Sequence, residues 1–133
     1  TPDMEFNLKP GITGRQVITV TDADTASSFG SGLIAVFATP AMIALMEKTA
    51  QLSVQPLLPA GAITLGTAVS ITHTKATPVG MKVFCESELL EADGKKLLFR
   101  VIARDEKGVI GEGTHRRYIV DAEAFMNKLN NPA

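Results

Sequence analysis

With 133 residues, 45% of them hydrophobic and 20% charged, the chain is long enough for one core and too apolar for a disordered segment. A formal net charge of −1, no tryptophan and 5% aromatic residues supply neither the basic field nor the stacking platforms that nucleic-acid or anionic-membrane binding uses. The single cysteine, Cys85, excludes a disulfide framework and a cysteine-based zinc site, and no apolar run reaches the ~18 residues that span a bilayer.

The opening TPDMEFNLKPG lacks the basic-then-apolar pattern of a secretory signal. A cytoplasmic location is expected from this. There is no internal repeat and no linker-like shift in composition, so residues 1–133 are expected to form one domain.

In chain order, RQVITVT at 15–21 alternates polar and apolar residues and predicts a strand. TDADTASSFGSG at 21–32 is rich in small, turn-prone residues and predicts a mobile loop. Residues 40–56 hold helix formers with no internal Pro or Gly. Thr39 suits the N-cap and Pro40 the first helical position. This helix is apolar on nearly all sides: Ile43, Ala44, Ala50 and Val54 along one, Met42, Leu45, Met46 and Leu52 along the other. Such a helix is expected to be buried on most sides.

Four strands follow. Residues 63–73 alternate, with Ile63, Leu65, Val69 and Ile71 expected on one face. Residues 81–90 and 97–104 flank the turn sequence ADGK, and 109–120 follows a second turn sequence, DEKG. Short connections predict antiparallel pairing. Residues 121–130 read as a short, partly amphipathic helix capped by Asp121. A strand, a long apolar helix and four more strands fit an α+β hotdog fold, an antiparallel curved sheet wrapped around one central helix. Its exposed sheet edges predict a dimer.

Few residues stand out chemically. Glu47 sits in the apolar helix. It either reaches solvent at a gap beside Lys48, or it is paired, raised in pKa, or working. Thr39 lies eight residues earlier, about 12 Å away by helical rise, so the two can border one cleft without touching. His73 ends its strand on the odd-numbered face, where a structural ring and a general acid–base are both consistent with its position. Gly66 in the same strand marks either a bulge or a close approach, and its N–H could serve a developing oxyanion. In GEGTHRRYIV, His115 and Arg117 share a face and Arg116 points away. The two arginines read either as solvated edge charges or as phosphate ligands. No metal, P-loop or nucleophile-elbow signature is present, so neither a metal nor a cofactor is expected.

Three blocks in order, VFATPAMIALME, LGTAVSITHTKATPVG and IGEGTHRRYIV, resemble the fluoroacetyl-CoA thioesterase-like group of hotdog proteins. The resemblance runs from about Gly14 to Phe125. It implies an acyl-CoA thioesterase with Thr39, Glu47 and His73 as the catalytic set. It further implies Gly66 on the oxyanion side, Arg117 at the substrate end, and a site at the interface of a homodimer or higher oligomer. Coenzyme A would then be part of the substrate. The resemblance departs at one position: the family's fluoroacetyl-specific enzyme carries a phenylalanine lid upstream of the FAT block, where this chain has Leu33, with Phe29 displaced nearby. A short acyl group is implied; fluoroacetyl selectivity is not. Two other readings use the same scaffold. One is a non-catalytic acyl-CoA-binding module resting on Arg117 and the loop before Thr39. The other is enoyl-CoA hydration, which calls for a His–Asp pair that His73 lacks.

Overall fold

A computed structural model describes residues 8–131. The first seven residues, part of the stretch read for a secretory signal, lie outside the described residues.

The chain forms β1 (Thr13–Thr19), a 3-10 turn (Asp22–Asp24), α1 (Ala26–Phe29), α2 (Thr39–Val54), β2 (Ala62–His73), β3 (Lys82–Asp93), β4 (Lys96–Asp105), β5 (Gly108–Asp121) and α3 (Ala122–Asn130). The strands make one antiparallel sheet in the order β1-β3-β4-β5-β2, and α2 packs across its concave side. Alternate residues face the helix, as the two-residue period of a strand requires. Val83, Cys85 and Leu89 come from β3, Leu97, Phe99, Val101 and Ala103 from β4, and Ile119 from β5. They close on Met42, Leu45, Met46, Ala50 and Val54 of α2. Among the described residues, no helix is long and apolar enough to cross a membrane.

The hairpins β3–β4 and β4–β5 turn at Gly94 and Gly108, both with positive φ, where the sequence carries its two turn signals. The β2–β3 link is different. Residues 74–81 carry the chain from the β2 edge to the far side of β4, so these two strands do not pair. The expectation of hairpin connections throughout is corrected here.

Three further expectations change. Residues 21–32 are not an open loop. Thr21 and Asp24 cap one another, and the Thr25 side chain accepts a hydrogen bond from the Ser28 amide. Backbone bonds from the Ala26 amide to the Val36 carbonyl and from the Ala38 amide to the Asp24 carbonyl then pin the segment beside the start of α2. Second, α2 is left open along one side. Ala44, Lys48 and Leu52 form an exposed stripe, with Ile43 and Glu47 half-buried at its border. Third, β2 is bulged between Gly66 and Ala68, leaving Thr67 without a partner in β5. The extra residue reverses the facing of everything beyond it. Ala62, Thr64 and Gly66 face inward before the bulge, then Val69, Ile71 and His73 after it. Ile63 and Leu65 lie on the opposite face from Val69 and Ile71, contrary to the uninterrupted alternation.

Candidate active site

Thr39 is the first residue of α2, and Ala38 occupies the N-cap. Alanine has no oxygen with which to cap, and the Thr39 hydroxyl, expected to do so, is used elsewhere: its Oγ1 lies 2.7 Å from His73 Nδ1. Two elements distant in sequence are held together for this contact. The Phe37 amide donates to the Thr77 carbonyl, and the buried Thr77 hydroxyl donates to Asp105 Oδ2, tying the approach to α2 onto the segment after β2. Phe37 meets the His73 ring edge-on, with centroids 6.5 Å apart. His73 Nε2 is buried with no hydrogen-bond partner. A cavity of about 280 Å³ opens over the pair, with Ala26, Val36 and Lys75 among its walls.

Glu47 belongs to a second cluster. A Cβ placed on Gly66 would sit 2.8 Å from Glu47 Oε2, 3.1 Å from His115 Cε1 and 3.4 Å from Arg117 Nη1. The carboxylate therefore lies over bare backbone that no larger residue would leave open. The bulge creates this alignment, because it sets Gly66 opposite Arg117 in the ladder. Arg117 is buried, not a solvated edge charge. Its Nε donates to Thr64 Oγ1 at 2.7 Å, its Nη2 to the Thr64 carbonyl at 2.8 Å, and its Nη1 to His115 Nε2 at 3.1 Å. The guanidinium does not close an ion pair with Glu47 within 4 Å; among the described residues the one such pair is Arg15–Glu86.

His115 did not enter the expected catalytic and substrate-binding set. A guanidinium can only donate, so Nε2 of His115 accepts from Arg117. Nδ1 then carries the proton and donates to the Ala68 carbonyl at 2.9 Å. The neutral tautomer is fixed from both sides. The sequence signal for His115 was its shared face with Arg117; the bulge that brings Gly66 and Glu47 to the same point leaves no trace in the alternation.

The structure thus divides the expected residues into two groups. Thr39 and His73 form one, and Glu47, Gly66 and Arg117 form the other. Leu33, which stands at the family's phenylalanine-lid position and was expected to bind substrate, belongs to neither. It is 97% exposed on the loop before α2 and does not line the Thr39–His73 cavity. No group of three metal-ligating side chains occurs among the described residues.

Burial lowers the pKa of His73, partly offset by the backbone of Lys75, which favours the protonated ring. Burial also lowers that of His115. Its bond to Ala68 opposes the shift, Arg117 adds to it, and Glu47 opposes it. Both rings titrate near 6.5 when the chain unfolds. The unfolded state therefore binds more protons just below that pH, so stability rises with pH through the window. This contribution is fully present above about pH 6.5 and is lost as pH falls towards the folded values. The urea midpoint is expected to drop between about pH 7.5 and about pH 5, and replacing His115 with glutamine should flatten the dependence.

The family described as fluoroacetyl-CoA-specific thioesterase matches residues 20–123. The chain is 43% identical to a fluoroacetyl-CoA thioesterase of Streptantibioticus cattleyicolor over 94 residues, 71% of this chain and 68% of that one. Its structure is similar to that of the fluoroacetyl-CoA thioesterase FlK, with a TM-score of 0.88 at 33% identity, covering 93% of this chain and 96% of that chain. A hot-dog-like protein from Thermanaerovibrio acidaminovorans, 20% identical, shares the fold with a TM-score of 0.83 over 93% of this chain and 90% of its own. The same blocks that carry the Thr39–His73 pair and the Glu47 cluster fall within the matched span, and the chain belongs to the fluoroacetyl-CoA-specific thioesterase family of hotdog thioester hydrolases.

Proposed function

We propose that the protein hydrolyses a short-chain acyl-coenzyme A to the free acid and coenzyme A, at sites that two subunits complete for each other. The observation that carries this reading is the Glu47 carboxylate aimed at the bare backbone of Gly66, beside the buried His115–Arg117 pair. A thioester carbonyl set there meets a base or nucleophile on one side and a strand N–H on the other.

In this reading Glu47 takes a proton from water as the water oxygen adds to the carbonyl carbon, or itself attacks that carbon. The Gly66 N–H donates to the developing oxyanion. Collapse of the tetrahedral intermediate breaks the C–S bond, and the leaving thiolate takes up a proton; where Glu47 is the attacking group, water then hydrolyses the acyl–Glu47 anhydride to the free acid and restores the carboxylate. Thr39 positions the attacking group and His73 moves protons, its neutral form favoured near pH 7 by burial. Arg117 holds the substrate end of the pocket and keeps His115 in its tautomer. The reaction needs no cofactor, since coenzyme A enters within the substrate.

The separation of the two groups supports a dimer. β2 is an edge strand, bonded to β5 on one side and open on the other. Two such edges paired antiparallel about a point between Val69 and Ser70 would set Gly66 opposite His73 of the partner subunit. The Glu47 cluster of one chain then meets the Thr39–His73 pair of the other. The exposed stripe of Ala44, Lys48 and Leu52 on α2 would be covered at the same time.

Mixing two inactive variants tests this. In a Thr39→Ala/Glu47→Gln heterodimer, a shared site leaves one intact centre of the two. Randomly reassorted dimers should regain about a quarter of wild-type activity. If the whole set works within one subunit, mixing restores nothing.

A further inference from the structure

Arg117 and Glu47 are opposite charges that converge on one point without pairing. From a Cβ placed on Gly66, Glu47 Oε2 lies 2.8 Å away and Arg117 Nη1 3.4 Å away. The carboxylate comes from α2 and the guanidinium from β5. Each group feels the other's charge, since Glu47 raises the pKa of Arg117. Yet no ion pair closes between them within 4 Å. A guanidinium and a carboxylate this close ordinarily settle into a bidentate pair.

The restraint lies in the other hydrogen bonds of Arg117. Three of its five N–H groups are committed: Nε to Thr64 Oγ1 at 2.7 Å, Nη2 to the Thr64 carbonyl at 2.8 Å, and Nη1 to His115 Nε2 at 3.1 Å. Thr64 and His115, the two side-chain acceptors, are both buried. His115 is itself held in place. Its Nδ1 donates to the Ala68 carbonyl at 2.9 Å, and its ring lies against Phe99 with centroids 6.4 Å apart. Arg117 and His115 thus reach carbonyls of β2 on both sides of the bulge, Thr64 before it and Ala68 after it. The grip depends on a neutral ring, because an imidazolium Nε2 carries a proton and cannot accept from Arg117.

We propose that Thr64 and His115 are positioning residues for the hydrolysis, which hold the Arg117 guanidinium beside Glu47 but out of an ion pair with it. The proposal rests on the thioesterase reading for the reaction, and on the hydrogen bonds of Arg117 for the restraint. A carboxylate clasped by a guanidinium has its lone pairs taken up, so it is a poorer base and a poorer nucleophile. Held short of contact, the guanidinium keeps its positive charge near the developing oxyanion and leaves the carboxylate oxygens free.

Two pairs of substitutions separate positioning from packing. Thr64→Ser keeps the hydroxyl, whereas Thr64→Val keeps the shape and loses it. His115→Gln sets an amide oxygen where Nε2 accepts from Arg117. His115→Asn sets an amide nitrogen where Nδ1 donates to Ala68, and releases Arg117. Thr64→Val and His115→Asn should each lower kcat for acyl-CoA hydrolysis about tenfold or more with KM nearly unchanged, while Thr64→Ser and His115→Gln stay within about threefold of wild type. The loss should follow the missing acceptor and not the melting temperature. Crystal structures of Thr64→Val and His115→Asn should show Arg117 closed onto Glu47. Equal kcat losses within each pair, a loss confined to KM, or an Arg117 that stays off Glu47 in folded Thr64→Val protein overturns the proposal. If wild type releases no thiol from acyl-CoA, the thioesterase reading fails, and the crystal structures alone decide whether these acceptors hold the guanidinium off the carboxylate.

Discussion

Glu47→Gln is expected to lower kcat for acyl-CoA hydrolysis by about 10²–10⁴-fold, the usual contribution of a general base, with little change in melting temperature. The substitution keeps the shape of the side chain and removes its ability to take a proton or attack. Stability should hold because Glu47 is half-buried and forms no ion pair within 4 Å. Its electrostatic effects on the fold fall on Arg117 and His115, whose pKa values burial lowers and Glu47 raises. The Arg117 guanidinium keeps its hydrogen bonds to Thr64 and His115 in the variant. Steady-state thiol release together with thermal unfolding separates the two effects. A variant with near-normal kcat would remove Glu47 from the chemistry.

Gly66→Ala should have an effect of similar size for a different reason. The added methyl would sit 2.8 Å from Glu47 Oε2 and 3.1 Å from His115 Cε1. The carboxylate is the far end of a flexible side chain and can swing aside, so the steric cost to the fold is small. Replacing a strand glycine also recovers about 0.5–1 kcal/mol of backbone entropy. The catalytic cost is not small, because a misplacement of about 1 Å can lose 10²-fold in rate. A fall in kcat of about 10²-fold with a melting temperature within a few degrees of wild type is therefore expected. Retained activity would mean that the close approach of Glu47 to Gly66 does not matter to the reaction.

Much of this arrangement could be read from residue order, and the parts that could not share one physical cause. The central helix, the strand pattern, the two glycine turns and the Asp121 cap are local features. Each is written in a few neighbouring residues, and each was expected within a few positions of where it occurs. What the sequence hides is non-local. Strict alternation through ITLGTAVSITH put Ile63, Leu65, Val69 and Ile71 on one face. A bulge, one of the two readings that Gly66 offered, splits them, and its effect on facing is fixed only by pairing with β5 some fifty residues later. The same register sets Gly66 against Arg117 and so makes His115 part of the site. Composition likewise marked Thr39 as a helix cap, since threonine before proline is a strong local signal. The contact with His73, 34 residues away, reassigns its hydroxyl. The apolar circumference of α2 predicted burial on most sides, and Ala44, Lys48 and Leu52 mark the one stripe left exposed.

Leu33 shows how a resemblance can set residue type and position apart. Its identity departs from the family's phenylalanine, and in the folded chain it stands clear of the Thr39–His73 cavity. The apolar walls of that cavity come instead from Ala26, Val36, Phe37 and Ala76.

The central claim is that the Glu47 cluster and the Thr39–His73 pair together cleave a thioester. The most direct test is release of free coenzyme A thiol from a panel of acyl-CoAs of increasing chain length, followed with wild type and Glu47→Gln side by side. Catalytic release by wild type, fastest for short acyl groups and nearly abolished in the variant, is the predicted result. Tight acyl-CoA binding by both proteins with no thiol released by either would contradict it.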